Sequence, residues 1–410
     1  MEFLRILLNY ICSSALSAVS YFKKTRTKNL IPQKAEILIV GAGPAGSTLA
    51  YQMAKLGIDV LLLDKAKFPR GKTCAGGVNM RTLRLLPFDL GPVVEGVITG
   101  ISFTRNLEDP FIRRYPEPLM VTVRRAYFDH FLVQQAQQAG AQFLDGTQFL
   151  SLTEKKDAVQ VETSSGTCLA KFLVGADGAN SAVAKKLGFM REAYHILAIH
   201  SEVPTSVLPW PELDVIHIDW GSLKRSYAYL FPKKNSLSLG AGGFGIPAAK
   251  IKNYHGAFLA IRWQKEEALP FSAAGFILPL RKKRGPLQKG RCLLLGDAAG
   301  LIDPFTGEGI HSAIRSAQMA APFLVEALGN GPEPLPAYQE AVDREFMPEL
   351  ECSRFFREIF NLSPSFFHQK IATSDHWWNA MAKILRGETT FLDVNKRLGP
   401  LGKLLLRLAR

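Results

Sequence analysis

This 410-residue sequence predicts an α/β fold: a parallel sheet covered by helices, a separate antiparallel sheet, and a helical carboxyl-terminal region. Three observations predict it. Apolar runs at 36–40 (EILIV) and 292–295 (CLLL) have the look of parallel strands buried on both faces, and each runs into a glycine-containing turn. Between them lie alternating stretches such as VIHIDW and SLSLG, the period of half-buried antiparallel strands. Residues 331–410 are helical in pattern and rich in aromatics, with Phe355, Phe356, Phe360, Phe366, Phe367, Trp377 and Trp378.

Composition bounds the rest. At about one domain per 150 residues, the length fits two or three folding units. With 47% apolar and 21% charged residues, the chain can bury a large core and is not a disordered tail. Glycine and proline are near average usage, which excludes collagen-like and low-complexity readings. Fifty basic against 36 acidic residues give a formal net charge of +14, so an anionic partner is expected. Cys12, Cys74, Cys168, Cys292 and Cys352 are odd in number and lack CxxC spacing, which argues against a disulfide framework or structural zinc and for a reducing compartment. The histidines show no trusted metal-ligand spacing, and no metal is predicted.

The two ends share a theme. Residues 6–22 are uncharged, too short and too serine-rich for a good membrane span, and are followed by KKTRTK. At helical spacing, Leu4, Leu8, Ile11, Ala15, Ala18 and Phe22 form one stripe, so segment 1–33 reads as an amphipathic helix that lies on a membrane or on the protein itself. Ala18-Val19-Ser20 resembles a signal-cleavage site, but the basic cluster after it favours the cytoplasm. At the other end Lys403, Arg407 and Arg410 share one helical face and Leu401, Leu404, Leu405 and Leu408 the other. Together these segments point to peripheral membrane contact. No nucleic-acid motif accompanies the charge.

The strand at 36–40 leads into Gly41-Ala42-Gly43-Pro44-Ala45-Gly46 and a helix to about Leu56, then a second strand ends at Asp64, followed by Lys65. A GxGxxG between strand and helix, with an acid at the next strand tip, defines a dinucleotide site. Gly41 permits the turn, Gly43 admits the pyrophosphate, Gly46 lets helix and strand touch, and the carboxylate of Asp64 accepts from ribose hydroxyls. The helix N-terminus adds free N–H groups and partial positive charge.

Two further stretches, Gly175-Ala176-Asp177-Gly178 and Gly296-Asp297 with Gly307-Glu308-Gly309-Ile310, complete a pattern. The sequence resembles FAD-dependent enzymes with a p-hydroxybenzoate hydroxylase-like fold, whose three fingerprints occur here in order over residues 36–330. The resemblance implies a Rossmann-type FAD-binding domain, an antiparallel substrate domain, and roles for each motif. Asp297 would bind the ribityl chain, Gly307 and Gly309 with Ile310 would meet the flavin pyrimidine, and Asp177 and Gly178 would support the pyrophosphate loop. Arg124 or Arg125 resembles the family arginine that reaches the phosphates.

Two local signatures resemble the geranylgeranyl reductase family. In Phe68-Pro69-Arg70-Gly71-Lys72-Thr73-Cys74-Ala75-Gly76-Gly77 a cysteine precedes paired glycines, a loop that in those enzymes lies against the isoalloxazine. Tyr227-Ala228-Tyr229-Leu230-Phe231-Pro232, followed by Gly240-Ala241-Gly242, is similar to the family's YxWxFP…GxG, with Tyr229 in place of tryptophan. Strand alternation puts Tyr227, Tyr229 and Phe231 on one face, where they could line an apolar tunnel with Pro232 at its end.

The expected organisation is a segment 1–33, an FAD domain over 34–190 and 286–330, a substrate sheet over 191–285 joined by part of 87–123, and a helical region over 331–410. The resemblance implies hydride transfer from reduced FAD to C=C bonds of a geranylgeranyl lipid or pigment precursor. The proton donor stays open among Cys74, Tyr227, Tyr229 and water. The electron donor stays open between NADPH, ferredoxin and another reductant, since there is no second nucleotide fingerprint. Rival readings are a flavin monooxygenase or halogenase (no GWxWxIP signature is present), a non-redox polyene cyclase, and a flavin-binding module without catalysis.

Overall fold

The structure is a computed structural model that describes residues 31–189, 195–207, 212–263, 273–281 and 284–399. The amphipathic segments expected at 4–28 and 401–410 lie outside the described residues.

The first sheet grows from the run that reads as a buried strand. Lys34–Val40 pairs in parallel with Val60–Asp64 on one side and Gly166–Gly175 on the other. The parallel set continues to Gln142–Asp145 beyond the former and to Cys292–Leu294 beyond the latter. Strands Phe149–Glu154 and Val159–Thr163 fold back antiparallel onto the start of Gly166–Gly175, and Gln288–Lys289 closes one edge. Ile37, Leu38, Ile39, Leu61, Leu62 and Leu63 are wholly buried because helices cover both faces. Residues of helices Pro44–Lys55, Arg125–Gln138, Ile310–Asn330 and Leu335–Leu362 share that core.

The second sheet has seven strands in the order Ala274–Pro279, His195–Pro204, Ser236–Phe244, Ser226–Pro232, Val215–Trp220, Gly100–Arg105 and Glu108–Arg114. It is antiparallel, as expected, except at one seam: Val215–Trp220 runs parallel to Gly100–Arg105. That strand arrives from far upstream rather than through a hairpin, and only such a long crossover permits a parallel pair. A small antiparallel sheet of Gly77–Asn79, Met120–Val123 and Val94–Ile98 lies between the two larger ones in the chain path.

The two faces of the second sheet have different partners. Ala228, Leu230, Leu237, Leu239 and Ala241 pack on helix Ala248–Trp263 through Ile251, Tyr254, Phe258 and Leu259. The opposite face carries Tyr227, Tyr229 and Phe231, and toward its far edge it is covered by helices Pro364–Thr373 and Asp375–Arg386. There the Phe103 ring lies 4.8 Å from Trp220, 5.2 Å from Phe111 and 6.2 Å from Trp378 between centroids. Trp378 donates its indole N–H to the Arg114 carbonyl at 2.8 Å, which pins Asp375–Arg386 to the sheet edge. Among the described residues no helix is long and apolar enough to cross a membrane.

Replacing Phe103 by alanine removes the ring on which this docking rests. The expected cost is about 3–5 kcal/mol, read by chemical denaturation, with a red shift of tryptophan emission as Trp220 and Trp378 meet water. An unshifted spectrum would show that the helices do not depend on this ring.

Candidate active site

The glycine turn after Lys34–Val40 is built by contact between backbones. Gly41 has φ +104°, and a Cβ there would lie 2.4 Å from the Ala176 carbonyl oxygen. A Cβ on Gly46 would lie 1.9 Å from the Gly41 carbonyl oxygen. The chain's own packing therefore requires both glycines. Gly43 is different. Its backbone is ordinary (φ −80°, ψ −175°), and the atom nearest to where its Cβ would stand is an Arg70 guanidinium nitrogen at 3.8 Å. Nothing inside the protein demands glycine there, so the open space above Gly43 fits a group laid against the backbone. Pro44 opens helix Pro44–Lys55, no side chain caps that end, and the N–H groups of Ala45 and Gly46 have no intrahelical acceptor. This is a seat for phosphate oxygens.

Asp64 is buried at the tip of the neighbouring strand. Its carboxylate accepts from the N–H groups of Ala42 (3.0 Å) and Ala66 (2.9 Å), tying the strand end to the glycine turn. Lys65 next to it is exposed. Arg70, to which no motif gives a role, stands 3.6 Å from Asp64 and 2.9 Å from the buried Asp129. Asp129 is also gripped by Arg125 through two hydrogen bonds at 2.7 and 2.8 Å. Burial works against the Arg125 charge, but Asp129, with Cys74 beside it, more than offsets the burial. The two candidate arginines are thus separated. Arg125 is committed inside this ladder, and Arg124 is part-exposed with its Nε 3.4 Å from Glu95. The guanidinium nearest the glycine turn is that of Arg70.

Asp177 is also an anchor. It accepts from the Ser181 hydroxyl (2.5 Å) and the N–H groups of Ala182 and Val183, capping helix Ala182–Lys186, while its Cα backs Gly41. Gly178 follows with φ +76°. After Cys292–Leu294, Gly296 sits with its would-be Cβ 3.2 Å from Ala313 and 3.4 Å from Ala45, between the starts of two helices. Asp297 lies 3.5 Å from the Lys72 ammonium. Gly307 has φ +72°, and Gly309 and the buried Ile310 begin helix Ile310–Asn330, whose N-cap lacks a side-chain bond. Glu308 accepts from the His311 N–H at 2.8 Å and pairs with Arg81 at 3.3 Å.

Two loops approach the aromatic face of the second sheet from opposite ends. In loop 68–77, Cys74 accepts at its sulfur from the Gly76 N–H (3.4 Å), with Ala75 half-buried between them. A Cβ on Gly76 would lie 2.1 Å from the Val123 carbonyl oxygen, and one on Gly77 2.8 Å from the Phe231 ring. At the other end Tyr227 donates its hydroxyl to the Thr306 carbonyl at 2.6 Å. Ring centroids run Tyr227, Tyr229, Phe231 at 6.2 and 5.6 Å, and the buried Pro232 ends the strand. Gly242 pairs with Tyr227, and Gly240 with Tyr229, on the next strand. Burial, with Asp303 and Cys74 adding to it, pushes the Tyr227 phenol up; burial with Tyr227, Cys74 and Glu202 pushes Tyr229 well above its ordinary value. Beyond Gly240 stand His200, whose Nδ1 is 3.2 Å from the Tyr229 oxygen, then Glu202 and the buried Lys233 at 3.3 Å from it. Sequence reasoning missed Arg70, Asp129, His200, Glu202 and Lys233. Arg70 carried a signal in its place in loop 68–77, Asp129 stands one helical turn after Arg125, and His200, Glu202 and Lys233 are brought together by register across strands.

A two-sheet α/β chain with an uncapped glycine turn, an acid at the second strand tip and a Gly-Asp strand end defines an FAD-dependent oxidoreductase. A family model described as an FAD binding domain matches residues 34–222. The chain is 28% identical over 351 residues to digeranylgeranylglycerophospholipid reductase 1 of Methanopyrus kandleri, covering 79% of this chain and 90% of that protein. It is 27% identical over 317 residues to geranylgeranyl diphosphate reductase of Synechocystis, covering 72% and 76%. A geranylgeranyl bacteriochlorophyll reductase-like structure from Thermoplasma acidophilum superposes with TM-score 0.70 at 21% identity, covering 91% of this chain and 96% of that one. A flavin-dependent brominase superposes with TM-score 0.68 at 19% identity, covering 86% and 94%. The chain thus carries an FAD-binding domain in a p-hydroxybenzoate hydroxylase-like fold, and over most of its length it is similar to geranylgeranyl reductases among the FAD-dependent oxidoreductases.

Gly43 and Gly46 respond differently to substitution. Gly43→Val keeps the stability of the flavin-free protein within about 1 kcal/mol, a cost typical of a changed helix cap, and weakens FAD at least about tenfold, or about 1.4 kcal/mol. Gly46→Ala destabilises the flavin-free protein by about 1–3 kcal/mol through overpacking. Thermal melts and flavin titration check both, and equal FAD affinity in Gly43→Val would remove the cofactor from this turn.

Proposed function

We propose that the protein adds hydrogen across isolated C=C bonds of a geranylgeranyl lipid or pigment precursor. The observation that carries this reading is the face of Tyr227, Tyr229 and Phe231 opposite Gly240 and Gly242. A prenyl chain has little to hydrogen-bond and is held by area, at about 25 cal/mol per Å² of apolar surface buried. Three successive rings, tilted 45° and 87° to one another, offer it apolar area along one face of the strand. FAD, when bound, supplies the hydride.

The chain's own residues do the rest. The turn Gly41–Gly46 with Arg70 holds the phosphates, Asp64 the adenosine ribose, Asp297 the ribityl chain, and Gly307, Gly309 and Ile310 the pyrimidine end. Loop 74–77 and the tyrosines fix the alkene, which must be aligned tightly because an unactivated double bond is a poor hydride acceptor. The reductant that recharges the flavin is NADPH or a ferredoxin, to be told apart by the rate at which each bleaches the bound flavin. The net charge of +14 and the exposed Phe366 and Trp377, which pack on one another with Lys370 over the Phe366 ring, support peripheral contact with an anionic membrane on the cytoplasmic side.

The likeness to a brominase favours one second reading, an oxygen-using monooxygenase or halogenase. Anaerobic incubation of chemically reduced protein with geranylgeranyl lipids, followed by mass spectrometry, separates the two. A gain of two hydrogens per reduced bond without oxygen is expected. Product that appears only with oxygen would assign the oxygenase instead.

A further inference from the structure

Hydrogenation of an isolated alkene takes a hydride at one carbon and a proton at the other, and the flavin accounts for the hydride. The proton needs an acid against the cleft that water can refill after each turnover. Among the described residues Tyr227, Glu308, Cys74 and Tyr229 each offer an exchangeable hydrogen close to the aromatic face. Tyr227 gives its own to the Thr306 carbonyl, an acceptor that cannot return one. Glu308 is engaged by Arg81 and by the His311 N–H. Cys74 faces the Gly76 N–H and the Arg125 guanidinium, and a guanidinium does not give up a proton in a protein.

Tyr229 is wired differently. A Cβ on Gly240 would lie 2.3 Å from its hydroxyl oxygen and 2.4 Å from its Cζ, so the ring lies across the glycine of the neighbouring strand. That crossing lets the hydroxyl reach one strand further, to His200 Nδ1 at 3.2 Å. His200 Nε2 stands 3.6 Å from the Glu202 carboxylate, two residues along the same strand and on the same face. Tyr229 and His200 are each 8% exposed, whereas the Glu202 side chain is 41% exposed. The path runs from a buried phenol to water. Resting on the reductase reading above, we infer that Tyr229 delivers the proton to the substrate double bond and that His200 and Glu202 are the route by which the phenol is refilled from solvent.

Atoms and electrons balance. The hydride brings its electron pair to one alkene carbon, and the π pair takes the Tyr229 proton at the other as the O–H bond breaks. The phenolate then takes the Nδ1 proton of the neutral His200 ring as its bare Nε2 takes a hydronium proton from solvent at the Glu202 end, which leaves water. Reorientation of the ring then returns an N–H to the phenol side. Partial burial pushes the Glu202 carboxyl up, but hydrogen bonding with His200, the Lys233 charge and the Ser236 and Ser238 hydroxyls overcome it and hold the carboxyl well below the usual carboxylate range. It stays an anion that steadies the positive charge passing through the ring. His200 is faced by Tyr229 across the sheet and by Glu202 on its own strand with Lys233 behind it, while His255, bonded to Ser201 on the sheet's other face, feels its charge through the sheet.

The test compares wild type, Tyr229→Phe, Glu202→Gln and Tyr227→Phe. In anaerobic single turnovers of reduced holoenzyme with a geranylgeranyl lipid, Tyr229→Phe should slow reduction by about 10²–10⁴-fold, the range of general acid catalysis, and lose the solvent deuterium isotope effect that Tyr227→Phe keeps. Glu202→Gln should leave the first turnover within about twofold while later turnovers slow about tenfold or more, because only refilling is hit. In flavin-free protein, the NMR signals of the His200 ring should shift in both Tyr229→Phe and Glu202→Gln. Wild-type turnover with an unaffected Tyr229→Phe would overturn the donor assignment alone, and His200 signals blind to both changes would overturn the route. A wild type that reduces no prenyl lipid under any reductant would instead count against the reductase reading.

Discussion

Two glycines hold the molecule's centre by letting peptide groups touch. The Gly46 Cα seats against the Gly41 carbonyl, and Gly41 in turn seats against Ala176 and Asp177. Helix Pro44–Lys55, strand Lys34–Val40 and strand Gly166–Gly175 meet at this point with no side chain between them. From that fixed junction the uncapped helix end gains its aim, the Asp64 carboxylate finds the Ala42 N–H, and Gly296 slots against Ala45 and Ala313. If the junction loosened, the anion seat would lose its direction before it lost its charge.

Charge is managed by the same economy of space. Asp64, Arg70, Asp129 and Arg125 alternate in sign through the interior and end at Cys74. Each buried ion has a partner of opposite sign, which is the condition for burying it at all. The ladder joins the glycine turn to loop 68–77, so the half of the site that meets phosphates and the half that meets the aromatic face share one set of contacts.

Much of this was legible in the residues. EILIV reads as a strand because a sheet covered on both faces needs an unbroken apolar run, and the GxGxxG is legible because its steric demands are local. The face of Tyr227, Tyr229 and Phe231 follows from a period of two. What the sequence could not disclose depends on register. His200 and Glu202 belong to no motif, and they meet Tyr229 only because three strands align and Gly240 leaves room. Arg124 and Arg125 are neighbours with the same chemistry, and only the position of Asp129 one helical turn on separates them. The parallel seam was illegible because strand pairing over such a separation leaves no local trace.

That seam has a consequence for how the chain is made. Gly100–Arg105 and its hairpin partner leave the ribosome long before Val215–Trp220 exists, and Ile101 and Phe103 wait longer still for Trp378. During that interval the nascent polypeptide presents a bare strand edge and two uncovered apolar side chains, the features that invite mispairing. The order of translation thus leaves this hairpin as the piece of the chain whose natural cover arrives last.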